Sequence, residues 1–200
     1  MLGWQNPCTK ITNLAPTRPL EGIVPAQRVH VLHPTAYHGD VSTYELYALN
    51  SLVKAFAPTT IFEIGTLHGR TTVNLLENAE QLDTLYTLDI LEELPANKFA
   101  EHADAKKVKR IISDSLSFNI EPYRGRIDFI FIDADHTYDA VVSDSEKALE
   151  MLSTTGVVVW HDYTFVSDTK EACNDFIGRH PERRFIHIKD TTMLLMLASA

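Results

Sequence analysis

Thr60-Ile61-Phe62-Glu63-Ile64-Gly65-Thr66-Leu67-His68-Gly69-Arg70-Thr71-Thr72 is an apolar run that ends in a glycine-containing turn and feeds a helix expected to begin near Gly69. Glycine permits a tight turn and a close backbone approach, and the unpaired N–H groups at a helix start favour an anionic group. Taken alone this is an ordinary strand-to-helix turn. Its weight comes from the rest of the chain. Further apolar runs recur at Leu85–Leu88, Val108–Ile112, Ile127–Ile132 and Gly156–Trp160, each separated from the next by a helical stretch. Parallel neighbours cannot be joined by tight turns, so the alternation predicts parallel strands with crossover helices. The clearest crossover is Tyr138–Leu152, where Val141, Val142, Ala148, Leu149 and Leu152 form one stripe while Asp144, Glu146 and Lys147 take the other face. A helix over about Ser167–Ile177 then leads to Arg184–Ile188 and Thr192–Leu197, whose short separation fits a hairpin. The expected fold is α/β, a three-layer sandwich around a seven-stranded, mostly parallel sheet with one antiparallel edge from the C-terminal hairpin.

Upstream, Ser42-Thr43-Tyr44-Glu45 reads as a capping box, after which Leu46, Leu49, Val53 and Phe56 recur at helical spacing until Pro58. Residues 1–40 hold Pro7, Pro16, Pro19, Pro25 and Pro34 with little periodicity, which predicts an irregular arm or lid ahead of a single domain at 41–200. The 18 basic and 27 acidic side chains leave a formal charge of -9, which argues against nucleic-acid or anionic-membrane partners. Cys8 and Cys173 are far apart and form no CxxC, so neither a disulfide framework nor a thiolate metal site is expected. No apolar run approaches the roughly 20 residues needed to span a bilayer, and Met1 opens no signal-peptide pattern. A soluble, cytoplasmic protein is therefore expected.

In an open parallel sheet, ligands bind beyond the carboxyl ends of the strands. Asp89 follows the second run and can accept hydrogen bonds from the vicinal hydroxyls of a ribose. Ser113-Asp114-Ser115 follows the third and could meet an adenine edge, although Asp114 in isolation reads as a helix cap. A glycine turn, an acid about twenty residues on, and another acid after the next strand is an order suited to holding an adenosine. The fourth run ends in Asp133-Ala134-Asp135-His136 and the fifth in His161-Asp162-Tyr163. Charged clusters directly after apolar strands are costly unless they bind a cation, pair with each other or act on a substrate. Asp133 and Asp162, with His161, make a candidate site for a divalent ion. The plainer reading makes Asp135 or His136 a helix cap and places His161 in a satisfied polar network. His30, His33 and His38 match no common zinc spacing and are expected to be surface or lid residues. Trp4, Tyr37, Tyr44 and Tyr47 are candidates to line a pocket near the arm, or to be core.

From about Val41 to Leu197 these motifs together resemble the class I S-adenosylmethionine (SAM)-dependent methyltransferases, whose fold is Rossmann-like. Glu63-Ile64-Gly65-Thr66-Leu67-His68-Gly69 is similar to their acidic-x-Gly-x-x-x-Gly motif and differs from the Gly-x-Gly-x-x-Gly of nicotinamide enzymes. Phe131 through Tyr138 and Val159 through Tyr163 resemble small O-methyltransferases of the catechol and caffeoyl-CoA type, and the macrocin O-methyltransferase and cephalosporin-hydroxylase-like group. The resemblance implies that Glu63, Gly65, Gly69 and Thr71 serve the methionine end of the cofactor, Asp89 the ribose, Asp114 and Ser115 the adenine, with Asp133 close by. It also implies metal positions at Asp133, His161 and Asp162, taking Mg2+ or another divalent cation, although catechol-type enzymes carry an acid at the place of His161. His136 stands where the catechol-type general base stands, and Asp135 where the macrocin-like base stands. Both remain candidates. The implied reaction is methyl transfer to a hydroxyl of a small-molecule acceptor. A sugar, a phenol and a natural-product scaffold are all open, and so is oligomeric state, a homodimer included. The alternatives are a non-catalytic SAM-binding protein and an NAD(P)-dependent oxidoreductase.

Overall fold

The computed structural model describes residues 14–35 and 40–197. Trp4, Cys8, Tyr37 and His38 lie outside them. In chain order the elements are β1 (Thr17–Arg18), α1 (Thr43–Phe56), β2 (Thr60–Ile64), α2 (Arg70–Asn78), β3 (Thr84–Asp89), β4 (Val108–Ile112), β5 (Ile127–Ile132), α3 (Tyr138–Met151), β6 (Leu152–Trp160), α4 (Ser167–Arg179), β7 (Arg184–Ile188) and β8 (Leu194–Leu197). The strands form one sheet in the order β1-β7-β8-β6-β5-β2-β3-β4. Its pairings are parallel except where β8 runs antiparallel to β6 and β7. No helix of the described residues is long and apolar enough to cross a membrane.

The α/β class and mostly parallel sheet agree with the periodicity, but four details differ. The sheet has eight strands rather than seven, because Thr17 and Arg18 of the arm pair with His187 and Ile188 of β7. The antiparallel strand is internal, since β7 folds outside β8 and is covered in turn by β1. The connections from β3 to β4 and from β4 to β5 contain only short 3-10 turns, Ala105–Lys107 and Glu121–Tyr123, in place of crossover helices. Pro95 and Pro122 interrupt those stretches, and neither carries an apolar stripe. Finally, Leu152 opens β6 instead of closing α3, because it pairs with Ile127 at the start of β5.

Alternation along the central strands builds two cores. Phe62, Ile64, Ile130, Ile132, Val158 and Trp160 face α3 and α4, while Ile61, Phe129, Phe131, Val157 and Val159 face α1 and α2. Each such side chain contributes roughly 1.5–3 kcal/mol of burial free energy. Trp160 also donates from Nε1 to Ser145 Oγ at 2.9 Å, so its one polar atom is satisfied. The α1 start follows the sequence pattern: Ser42 Oγ accepts from Glu45 N, and Glu45 accepts from Ser42 N.

Residues 30–33 of the arm are tied to α2 by side-chain hydrogen bonds. Along α2, Arg70, Asn74 and Asn78 lie four residues apart on one face, as neighbours in a helical row. Asn74 accepts from Leu32 N and donates to Leu32 O, both at 2.9 Å, and Asn78 makes the same pair with His30 at 2.9 and 2.8 Å. Asn50 of α1 adds a bond to His30 O at 3.0 Å. Side-chain amides thus stand in for the neighbouring strand that this segment lacks. His30 also meets Glu77 at 2.6 Å, and Arg70 takes over the tether beyond Leu32.

Glu63 occupies the α2 side of β2 and is fully buried. Its Oε2 accepts from Thr72 Oγ1 at 2.5 Å and Thr87 Oγ1 at 2.6 Å, and its Oε1 has no partner. Burial, which outweighs the two hydroxyl contacts, pushes its pKa up from 4.5 to about 8.

Both the buried acid and the arm tether should be measurable in stability. Between about pH 4.5 and 8 the folded chain holds a proton on Glu63 that the unfolded chain releases, so the stability it contributes is complete below the unfolded pKa and fades as pH rises. Unfolding free energies from urea melts across this window should fall with pH by up to about 1.4 kcal/mol per unit relative to Glu63→Gln. Parallel curves for the two proteins would show Glu63 to be ionised in the fold. Asn74→Ala should cost about 1–3 kcal/mol by unpairing Leu32, a loss absent if denaturant midpoints coincide.

Candidate active site

A cavity of about 370 Å³ opens beyond the carboxyl ends of β2, β3, β4 and β5. Its walls come from the glycine turn, the segments after β3 and β4, the Asp133–His136 segment, and Asp40 and Val41 of the arm. The glycine turn is shaped by what it must avoid. Gly65 has φ 101°, and a Cβ there would collide with the carbonyl oxygen of Asp133. Gly69 begins α2 at φ 71°, and a Cβ there would lie 2.5 Å from the Phe99 ring. The helix start carries no side-chain cap, which leaves its first N–H groups available to a ligand.

The expected cofactor residues divide in two. Gly65, Thr71, Asp89, Asp114, Ser115 and Asp133 line the cavity, whereas Gly69 lies behind the turn and the Glu63 carboxyl reaches Thr72 and Thr87 instead of the hollow. Asp89 Oδ2 accepts from Thr66 N at 2.9 Å and Leu67 N at 2.8 Å, and Oδ1 from Leu91 N at 2.9 Å. One carboxylate therefore fixes both the turn and its own loop while facing the hollow. Asp114 Oδ1 similarly accepts from Leu116 N at 2.9 Å.

At the β5 and β6 ends, Asp133, His136 and Asp162 each present one donor atom within 4.8 Å of the others. His136 Nε2 is 2.8 Å from Asp162 Oδ2 and 3.7 Å from Asp133 Oδ1. That nitrogen is shielded from solvent and makes no aligned hydrogen bond. Asp162 adopts φ 57°, which turns the chain sharply after β6. Asp135 lines the cavity, and its Oδ1 accepts from Thr137 N at 2.7 Å ahead of α3.

His161 is buried on the far side of this cluster. Its Nδ1 lies 3.3 Å from Asp133 Oδ1 and 3.4 Å from Asp162 Oδ2, while Nε2 lies 3.3 Å from Glu45 Oε2. Glu45 Oε1 accepts from both Thr192 N and Thr192 Oγ1 at 2.7 Å. Burial opposes charge on His161, but Asp133, Asp162 and Glu45 together keep it protonated. His136 and His161 hold Asp133 and Asp162 ionised against the pull of their own burial, and His161 with the backbone N–H groups of Thr192 and Ser42 does the same for Glu45. Asp133 and Asp162 raise His136 to about 9. His161 thus occupies a polar network, and the three-donor group contains His136 in its place. Glu45 and Thr192 carried no functional signal in the sequence, since their partners lie 116 and 30 positions away. Tyr44 and Tyr47 stack at 6.1 Å between ring centres on α1.

A family model described as a methyltransferase domain matches residues 62–163. An uncharacterised protein of Acanthamoeba polyphaga mimivirus is 31% identical over 114 residues, a match covering 52% of this chain and 51% of that protein. The chain thus spans about half the length of this relative. The SAH-bound methyltransferase PaMTH1 of Podospora anserina superposes with a TM-score of 0.67 at 15% identity, covering 82% of this chain and 81% of that one. The O-methyltransferase TomG of Streptomyces achromogenes, involved in tomaymycin synthesis and solved with SAM, gives 0.66 at 18% identity over 80% and 82%. At such identities the likeness establishes the fold. From Phe62 in β2 to Tyr163 just past β6, the strand-end wall of the cavity falls inside the family match: the chain belongs to the methyltransferase-domain family.

Proposed function

We propose that the chain is a SAM-dependent methyltransferase acting on a hydroxyl of a small molecule, with a divalent ion held by Asp133, His136 and Asp162. The observation that carries this reading is the sharing of one cavity by the glycine turn, Asp89, Asp114 and Asp133. A cofactor lying across successive strand ends would place its amino acid at the start of α2, its ribose at Asp89 and its adenine at Asp114 and Ser115. SAM supplies, when bound, a methyl carbon on a positively charged sulfur.

The donor set also suits an ion. Two carboxylate oxygens and one imidazole nitrogen converge, and the solvent-shielded His136 Nε2 has no aligned hydrogen bond. Such a set fits Mg2+ or Mn2+, and the ion would supply Lewis-acid charge that makes an acceptor hydroxyl easier to ionise. His161, held by Glu45, orients the two carboxylates from behind. With His136 drawn into the cluster, Asp135 is the cavity-lining carboxylate of the Asp133–His136 segment left to accept the hydroxyl proton. Transfer from a sulfonium requires the attacking oxygen opposite the leaving sulfur, so much of the rate derives from how rigidly these strand ends place the two partners.

The two halves of the site are separable by calorimetry on purified protein. Asp133→Asn and Asp162→Asn should abolish Mn2+ binding while keeping SAM affinity within about threefold, and should lower kcat at least about a hundredfold. Asp89→Ala should do the opposite, weakening SAM by about 1–3 kcal/mol and sparing Mn2+. SAM affinity unaffected by Asp89→Ala, or Mn2+ binding unaffected by both other variants, would remove the respective assignment.

A further inference from the structure

Val141, Asp144, Ala148 and Met151 are buried at helical spacing along α3, so Asp144 stands where the stripe calls for an apolar side chain. It is fully buried, and neither of its carboxylate oxygens has a hydrogen-bond partner among the described residues. The adjacent Ser145 is already engaged, since its hydroxyl donates to Val141 O at 2.6 Å and accepts from Trp160 Nε1. The polar group set against Asp144 is the Ser115 hydroxyl. Three residues along the helix, Lys147 Nζ donates to the carbonyls of Ser115 and Leu116. Lys147 thus fixes the main chain of the segment after β4, while Asp144 addresses the side chain of Ser115, which also lines the cavity.

A carboxylate buried without a partner is costly, and an apolar residue of similar size would fill this place more cheaply. The charged groups around it are Lys147 on its own helix, Asp114 on the segment after β4 and Asp135 on the segment after β5. Burial pushes its pKa up from 3.8 to about 6, the Ser115 hydroxyl and Lys147 oppose the rise, and the two aspartates add to it. An ionised carboxylate can only accept, so it claims the Ser115 proton and leaves the lone pairs of that oxygen to the cavity. A protonated carboxyl can donate to Ser115 instead and free the serine proton for the cavity. One serine is therefore an acceptor in the first state and a donor in the second. Adenine and hypoxanthine have one shape and differ at the edge that such a group reads, where adenine carries an amino donor and hypoxanthine a carbonyl acceptor.

We propose that Asp144 is a positioning residue that acts through Ser115: it holds the serine hydroxyl as an acceptor for the amino group of the cofactor's adenine, and so selects an adenosyl over an inosyl cofactor. The inference rests on the reading of this cavity as a SAM site with its adenine at Ser115. Selection is strongest where Asp144 is ionised and relaxes on the acid side, where the serine is free to donate to the hypoxanthine carbonyl.

The test is a calorimetric titration of the full chain with S-adenosylhomocysteine (SAH) and S-inosylhomocysteine at about pH 7.5 and about pH 5, a range in which neither base titrates. SAH should bind at least about tenfold tighter than the inosyl analogue at the higher pH, and the ratio should shrink at least about threefold at the lower. In Asp144→Asn, which cannot ionise, the ratio should be the same at both pH values and smaller than that of the unmodified chain at the higher one. Ser115→Ala, which leaves Asp144 in place, should also lose the pH dependence. A ratio independent of pH in the unmodified chain, or one that changes equally in either variant, overturns the proposal. The comparison within the unmodified chain and the Ser115→Ala control stand even where Asp144→Asn fails to fold. Absence of SAH binding at both pH values overturns the SAM-site reading itself. Where the inosyl analogue binds too weakly to titrate, SAH alone decides: its affinity should fall at least about threefold from the higher to the lower pH in the unmodified chain and stay constant in Ser115→Ala. Constancy in both, or an equal fall in both, overturns the proposal.

Discussion

The hydrogen-bond ladder of the sheet continues one step beyond the ends of its central strands, and the cavity depends on that step. Ser113 N donates to Asp89 O, Gly65 N to Leu88 O, Asp133 N to Ile64 O and His161 N to Ile132 O, all between 2.8 and 3.0 Å. The first residues past β4, β2, β5 and β6 are thereby held in register by backbone alone. Gly65 sits in the middle of the row, and only the absence of a side chain there allows the Asp133 carbonyl to pass. Any larger residue would push β2 and β5 apart at their tips. The turn that lines the cavity and the acid that opens the three-donor group are thus positioned by a single close approach, and neither can be moved without the other.

Buried acids on either side of that row behave in opposite ways for one physical reason. Glu63 and Asp144 are both fully buried, and burial raises their pKa values to about 8 and about 6. Glu45 is nearly as buried but is held ionised, because His161 and the N–H groups of Ser42 and Thr192 stabilise its charge. Partners rather than depth decide the state. The consequence is a division of labour: Glu63 stiffens the strand beneath the turn as a neutral acid, and Glu45 transmits a fixed charge through His161 to Asp133 and Asp162.

Much of this was legible in the sequence where a local rule applied. Apolar runs fixed the positions of β2, β4, β5 and β7 to the residue, and Ser42 with Glu45 marked the start of α1. Acids placed directly after apolar runs pointed to one end of the sheet, and Asp89, Asp114, Asp133 and Asp135 do share one hollow there. What escaped reading was non-local. Thr17 and Arg18 are a strand only because β7 offers an open edge 170 residues away. Asp144 looked like a solvent-facing charge on α3, yet it faces inward beside Ser115, because the segment after β4 folds across that helix. His161 could be read either as an ion ligand or as part of a polar network, and residue type alone does not say which imidazole turns toward Glu45.

Glu45 also ties the arm to the carboxylate cluster at the ends of β5 and β6. The lip formed by Asp40 and Val41 lies between two anchors, Arg70 bonded to Val41 O on one side and the Ser42–Glu45 capping box on the other. The first anchor belongs to the helix after the glycine turn, and the second continues through His161 to the carboxylate cluster. Movement of the lip would therefore strain the glycine-turn side of the cavity through α2 and the carboxylate side through His161. Two otherwise distant halves of the cavity are coupled by a segment that contributes only Asp40 and Val41 to its lining, and hydrogen bonds to backbone and a buried ion pair add to the packing of Val41 in the core beneath it.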